Sequence, residues 1–345
     1  MALVIKSDAI VTNIGSNVKN SLDYKTSNEL VADYVAKVTA DGGVINNMAY
    51  LQNLANFLVD KKLAGKVHTI ISSSLGVKKH PSSNTAETQE LVSKLFNFVG
   101  EGDYEKKLYE KITGTVDYTK DISSDVSDAN ATVRNSPYMY TDGSRLGITC
   151  NAASDTRNLG FSQSGLEYIS ANKTLAVLAV IAPITTVNLS IFPLSFTDTE
   201  NLYENGGSTD FTMRMVLNPG ASRTFGLRAS TIATTPLNGI NSQHIYTPSE
   251  SACAQDKVAC IYVNSEDRVS IVSSKVSGSY IENTSTISEE LSDNFNAMKQ
   301  MNIFGEARFG FQKFAGRLYD IFVLRDCTIE EMRLVRSFLD NIVAT

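Results

Sequence analysis

The sequence predicts an α+β protein, a small helical region followed by an antiparallel β-sandwich. Three observations carry this expectation. Apolar residues recur at helical spacing near the N-terminus and at alternate positions later on. The later stretches are short, β-prone and separated by Gly, Pro, Asn and Ser. Between the two patterns lies DYTKDISSDVSDANA, rich in Asp and Ser and poor in large apolar side chains, which marks a domain boundary. The expected organisation is an arm at 1–24, a helical docking region at 25–112, a linker at 113–132 and the sandwich at 133–345.

The arm holds a β-prone stretch, LVIKSDAIVTNIG. From Ser27 the period becomes helical: Leu30, Val31, Tyr34, Val35 and Val38 share a face, and Asp41-Gly42-Gly43 supplies the stop. A second helix is expected with Asn46 or Asn47 as its cap and Met48, Leu51, Leu54, Phe57 and Leu58 as its stripe. The spacing of Leu91, Val92, Leu95, Phe96 and Val99 predicts a third helix over 85–99, and a charged fourth helix is expected over 103–112. Helices this short need tertiary partners. Their stripes exceed what they can bury among themselves, so Leu51, Leu54 and Leu58 are expected to form an assembly interface.

Beyond the linker, TLAVLAVIA (174–182) reads as a central strand buried on both faces. In the stretch 210–218, Phe211, Met213, Met215 and Leu217 alternate with Thr212, Arg214 and Val216. Further strands fit 223–228, 257–264, 268–273, 307–312 and 316–324. Thr328 and Glu331 form a capping box for a last helix whose Leu334, Phe338 and Leu339 are expected to close one end of the sandwich.

The terminal stretch FAGRLYDIFVLRDCTIEEMRLVRSFLDNI resembles the end of a concanavalin-like (laminin-G or pentraxin-type) jelly roll. In that family a glycine opens a buried strand, a turn follows, and a short helix packs across the sandwich. Gly316, the strand to Leu324, the turn at Arg325-Asp326-Cys327 and the helix from Ile329 follow that order. PYMYTDGSRLGITCNA, LGFSQSGLEYIS and TLAVLAVIAP are similar to the opening strands of such domains. YVAKVTADGGVINN, Tyr34 to Asn47, is similar to segments of tailed-phage virion structural proteins. This second resemblance implies a bacteriophage virion component, made in the host cytoplasm, with itself and other virion proteins as partners. A homo-oligomer, a trimer among the options, suits such an appendage.

Several function classes find no support. The net charge of −6 offers no general attraction to nucleic acid, and no apolar run is long enough to span a bilayer. The opening MALVIKSDAIV lacks the pattern of a signal peptide. No phosphate-binding glycine loop and no nucleophile elbow occur. His68, His80 and His244 stand away from one another and from cysteine at ligand spacing. Cys150, Cys253, Cys260 and Cys327 form no C-x₂-C pair; only Cys253 and Cys260 are close enough for a hairpin disulfide, and buried thiols are the expectation. A glycan-cleaving jelly roll would place two acids at alternate positions of one strand. No E-x-D-x-E occurs, so no enzymatic activity is expected.

Jelly rolls of the resembled family often bind Ca²⁺ through loop oxygens, which makes Asp142, Asp198 and Glu200 candidate ligands; no other cofactor is implied. Asp142-Gly143 equally suits a hairpin turn, where positive φ favours these residues. The leading expectation is a structural protein acting by assembly. The alternative is a glycan-binding receptor-recognition module, in which Tyr138, Tyr140, Tyr203, Tyr246 and Tyr280 stand in for the tryptophan this chain lacks.

Overall fold

A computed structural model describes residues 25–79, 91–100, 102–105, 137–142, 145–150, 159–161, 174–183, 191–197, 211–218, 224–231, 241–246, 257–276, 279–289, 300–303 and 316–343. The chain begins with α1 (Ser27–Ala40), β1 (Val44–Ile45) and α2 (Met48–Asp60), then β2 (Val67–Ser72) and β3 (Gly76–Lys79). Next come β4 (Val92–Leu95), β5 (Tyr104–Glu105), β6 (Tyr138–Asp142), β7 (Arg145–Cys150), β8 (Leu159–Phe161) and β9 (Thr174–Pro183). Then follow β10 (Ile191–Thr197), β11 (Phe211–Asn218), β12 (Thr224–Thr231), β13 (Asn241–Tyr246), β14 (Lys257–Asn264) and β15 (Val269–Val276). The chain closes with β16 (Ser279–Thr286), β17 (Gln300–Ile303), β18 (Gly316–Arg325) and α3 (Ile329–Val343).

The helix ends are set by local chemistry. Thr26 and Glu29 close a capping box at the start of α1, and Gly42 leaves it at φ +73°. Asn47 Oδ1 accepts from Tyr50 N at 2.9 Å to start α2. Thr328 and Glu331 exchange backbone hydrogen bonds at 2.8 and 3.2 Å to start α3, as their spacing predicts.

The strands form two antiparallel sheets. One runs β1-β3-β4-β5-β8-β17-β10-β11-β12-β13, and the other β16-β15-β14-β9-β18-β7-β6, with β2 also on β18. From β7 onward the chain crosses repeatedly between them: β7, β9, β14–β16 and β18 lie in the second sheet, and β8, β10–β13 and β17 in the first. Crossing of this kind makes a jelly roll.

Two apolar cores give the molecule three layers. Between the sheets lie Leu175, Val177, Ala179 and Ile181 of β9, against Leu194, Phe196, Met213 and Met215 of the ten-stranded sheet. The other side of β9, with Ala176, Leu178, Val180 and Ala182, packs under the helices with Leu54, Leu58, Val335 and Leu339. The eight-stranded sheet is therefore a buried middle layer, and β9 is covered on both faces as its unbroken apolar run predicts.

Two expected helices are corrected. In place of one over 85–99 there is β4, and its apolar i, i+3 spacing has a different cause. Lys78 pairs with Lys94 but Lys79 pairs with Val92, so Ser93 is an extra residue. That bulge returns Val92 and Leu95 to the same core, where helical periodicity would also have put them. In place of the start of a helix at 103, Tyr104–Glu105 forms β5, with Tyr104 fully buried; 106–112 lie outside the described residues, as does the strand expected at 307–312.

These strands also bring the supposed docking region into the sandwich. The edge of β18 away from β9 is shared: Gly316–Leu318 pair with β7, and Asp320–Leu324 pair with β2. A register shift against β9 makes Tyr319 an extra residue. The bulge lets both Tyr319 and Asp320 serve the helix side of the sheet, where Tyr50 meets Asp320.

Candidate ligand-binding face

Several buried polar side chains are engaged in joints between elements. Asp320 is buried, and its Oδ1 accepts from Tyr50 Oη at 2.8 Å. Burial raises its carboxyl pKa, opposed by hydrogen bonds from Ser72 and Tyr50 and by the Arg145 charge. The Arg145 guanidinium lies 3.9 Å from the Tyr319 ring centroid. This group bolts α2 to β2, β7 and β18.

A second joint links β2 to the β3–β5 edge. His68 Nδ1 and Tyr104 Oη each lie 2.9 Å from Thr69 Oγ1, and the Asn97 amide bridges Ile70 N and His68 O at 2.9 and 3.1 Å. Burial pushes the His68 pKa down to about 3, so the ring is neutral near pH 7. Tyr34 Oη accepts from Gly76 N at 2.9 Å and donates to Phe96 O at 3.0 Å. A Cβ at Gly76 would sit 2.6 Å from that oxygen, which explains the glycine. A third joint holds α3: Glu282 accepts from Arg333 and Arg336 at 2.5 and 2.6 Å, and Arg336 also donates to Ser273 Oγ at 2.7 Å. The Arg333 hydrogen bond, then that of Arg336, hold the Glu282 carboxyl below its ordinary range.

The residues expected to carry assembly are not on the surface. Leu51, Leu54 and Leu58 are fully buried in the helix–sheet core, because the eight-stranded sheet supplies the partner that their stripe requires. Leu334 also departs from expectation: it is 42% exposed, while Met332, Val335 and Leu339 carry the buried face of α3. Phe338 is partly buried and stacks on Phe57 at 4.3 Å.

Of the calcium candidates, Asp142 ends β6 in direct register with Arg145, so a two-residue hairpin joins β6 to β7 there. Asp198 and Glu200 lie outside the described residues. Among the described residues no three His, Cys, Asp or Glu side chains group as metal ligands, and no helix is long and apolar enough to cross a membrane. Cys260 and Cys327 are buried free thiols whose pKa values burial raises; Cys253 lies outside the described residues.

What remains is the second face of the ten-stranded sheet. Among the described residues, the main neighbours of β12 and β13 outside their own sheet are β14, β15 and β16, across the core, while α3 packs on β14 and β9. Met301, Phe196 and Met213 occupy paired positions on the core side. The intervening residues fall on the opposite side by the period of two. Read across the sheet, one such row is Asn302, Ser195, Arg214, Arg228 and His244 on β17, β10, β11, β12 and β13. The next is Gln300, Thr197, Thr212, Ser230 and Ser242. These positions carry hydrogen-bonding side chains on five adjacent strands. Sequence reading placed Arg214 and Thr212 opposite the methionines, but only strand pairing puts them beside Arg228, Ser230 and His244.

Fold and strand pairing together define an antiparallel jelly-roll sandwich whose eight-stranded sheet packs under helices and whose ten-stranded sheet carries polar residues at the positions that alternate with its core side. No protein-family model matches the chain, and no curated protein does. Among solved structures it is similar to the CBM40 of the Ruminococcus gnavus IT-sialidase bound to α2,3-sialyllactose, at 15% identity and a TM-score of 0.38, over 55% of this chain and 95% of that one. The tailspike protein 2 enzymatically active domain of bacteriophage CBA120 is similar at 13% identity and a TM-score of 0.40, with 55% of this chain and 27% of that one covered. The SAP-like pentraxin of Limulus polyphemus is similar at 18% identity and a TM-score of 0.33, over 48% and 68%. The likeness concerns the sandwich fold and extends to no particular side chain.

Proposed function

We propose that the chain is a non-catalytic recognition module that binds a bacterial surface polysaccharide on the outward face of its ten-stranded sheet, and that it serves on a bacteriophage virion. The observation that carries the binding reading is the pair of polar rows across β17, β10, β11, β12 and β13. Residues with hydroxyl, amide and guanidinium groups at strand spacing suit the many hydroxyls of a sugar chain, one hydrogen bond per group. The non-catalytic reading is supported by four described carboxylates that are held in joints of the fold: Asp320 on Tyr50, Glu282 on two arginines, Asp41 on Lys78 and Lys94, and Glu331 on Lys66. The virion reading follows from the resemblance of Tyr34–Asn47 to phage structural proteins.

The test is an array of purified bacterial capsular and O-antigen polysaccharides probed with the full chain and with Thr212→Leu/Ser230→Leu, which alters a directly paired position. Binding of at least one polysaccharide, weakened tenfold or more in the variant at unchanged melting temperature, is expected. Equal binding by the variant moves the site off this face.

One observation favours assembly as a second role. Val44 and Met48 are 61% and 49% exposed, and β1 is the end strand of its sheet among the described residues. An apolar edge of this kind suits pairing with another chain. Val44→Asp with Met48→Glu is expected to abolish any self-association seen by light scattering; an unchanged mass in an associating protein removes the edge from the interface.

A further inference from the structure

We infer that the chain's own stretch 3–15, LVIKSDAIVTNIG, adds to the open edge of β1 as a further strand and guards that edge against other chains. The inference rests on the assembly reading of the edge and assigns its resident occupant, so that assembly requires the stretch to leave.

The edge is a core row cut short. Val77, Leu95 and Tyr104 stand opposite one another on β3, β4 and β5 and are buried in the intersheet core. Val44 pairs with Val77 and continues this row on the same side of the sheet, yet it is 61% exposed. Met48, at the start of α2, is exposed beside it in the chain. The backbone is open at the same place. Gly76 donates its N–H to Tyr34 Oη at 2.9 Å and accepts from Phe96 N at 3.1 Å, so both its groups turn away from β1. Ile45, opposite Gly76, therefore belongs to a non-hydrogen-bonded pair and turns its N–H and C=O to the free side of β1. Asn46 N donates to Leu75 O at 3.0 Å, as the same alternation requires. Such an edge takes a partner that brings extended backbone and apolar side chains.

The stretch 3–15 has the composition for this. Leu3, Val4 and Ile5, then Ala9, Ile10 and Val11, make two β-prone apolar clusters. It is also tethered within reach. Thr26 is extended, at φ −72° and ψ 160°, which turns the chain off the axis of α1. Lys25 then lies along the side of the helix, its Nζ 2.5 Å from Asp33 Oδ2, about two turns in. β1 follows the far end of α1, whose 14 residues rise about 21 Å. Residues 16–24, when extended, span about 30 Å, enough to carry 3–15 back along α1 to β1. A tether of this length sets an effective concentration on the order of millimolar, which favours the chain's own stretch over that of a neighbouring copy. Covering an apolar edge in this way keeps it from recruiting other chains.

Hydrogen-exchange mass spectrometry of the full chain, at two protein concentrations about a hundredfold apart, tests the inference. It is repeated on Val44→Asp/Met48→Glu and on Ile5→Asp/Ile10→Asp. Peptides covering 3–15 are expected to exchange at least tenfold more slowly than a free chain, equally at both concentrations. Each double variant is expected to lose that protection while β9 and α2 keep theirs. Free-chain exchange of 3–15 in the unaltered protein overturns the inference. Protection of 3–15 that survives Val44→Asp/Met48→Glu places the stretch elsewhere and overturns it too. Protection that grows with concentration gives the edge to a neighbour's stretch and overturns occupancy by the chain's own. Should Val44→Asp/Met48→Glu also lose the protection of β9, Ile5→Asp/Ile10→Asp decides: faster exchange at β1 supports the inference, and unchanged exchange there overturns it. Light scattering of Ile5→Asp/Ile10→Asp separates the two readings of the edge. Self-association of that variant supports both, whereas a monomer with a freely exchanging β1 removes the assembly role and leaves this inference standing.

Discussion

The two sheets are built from the same kind of strand, yet those strands place their apolar residues differently. In β9, TLAVLAVIAP, consecutive residues from Leu175 to Ile181 are all fully buried, odd positions facing the other sheet and even positions facing the helices. In β11, FTMRMVLN, Met213 and Met215 are buried in the intersheet core, while Thr212, Arg214 and Val216 occupy the alternate positions. An unbroken apolar run can only be a middle layer, and an alternating one has a face left over. Helices and the other sheet cover the two faces of β9, and the alternate positions of β11 are those to which the binding role is proposed.

Deleting the covered side breaks this comparison most severely. Sequence reading suggested that residues from about 133 would fold alone, but β2 pairs with half of β18, and β1, β3, β4 and β5 extend the ten-stranded sheet. A fragment spanning 130–345 is expected to lose cooperative melting and to expose the sheet surface that α1 and α2 cover. A sharp transition in that fragment by calorimetry would restore the original boundary.

Point substitutions come next in size. Leu54→Ala, at a fully buried position, is expected to cost about 2–5 kcal/mol in denaturant unfolding. Leu334→Ala, at a position 42% exposed on the same side, is expected to cost under about 1 kcal/mol. Similar losses at both sites would deny the burial difference between α2 and the outer edge of α3.

The remaining effects are electrostatic and are read against pH. Glu282 has its pKa lowered in the folded chain, so the stability it confers is present above its ordinary value of 4.5 and is lost as pH falls through the folded value. Glu282→Gln is expected to cost about 1 kcal/mol at pH 7 and correspondingly less in acid, read from urea midpoints. His68 acts in a different window. Its folded pKa of about 3 lies below the ordinary 6.5, so the unfolded chain takes up a proton that the native state refuses. Its contribution is complete above 6.5 and declines by up to about 1.4 kcal/mol per pH unit as pH drops toward 3. His68→Gln should flatten the stability profile over that interval, and an unchanged slope would mean that the ring is not held neutral.

Much of the architecture was legible in the sequence because its signals are local. The capping box at Thr328, the Asp41-Gly42 stop and the period of two in β11 each involve neighbours a few residues apart. The bulge in β4 defeated the same logic, since one extra residue makes a strand imitate the i, i+3 spacing of a helix. The destination of the α2 stripe was also hidden: Leu51 and Leu58 looked like a surface in need of a partner chain, and the partner is the sheet around β9 and β18. The arginine row was the least visible feature. Arg214 and Arg228 are neighbours only through the pairing of β11 with β12, and no local pattern encodes which residues will stand opposite one another.

Hydrogen-exchange mass spectrometry of the full chain, with and without a polysaccharide selected on the array, tests most directly the claim that the outward sheet face is the working surface. Ligand is expected to slow exchange in peptides covering β10, β11, β12 and β13, and to leave α1, α2 and β1 unchanged. Protection confined to α1, α2 or β1, with β10–β13 unaffected, would contradict it.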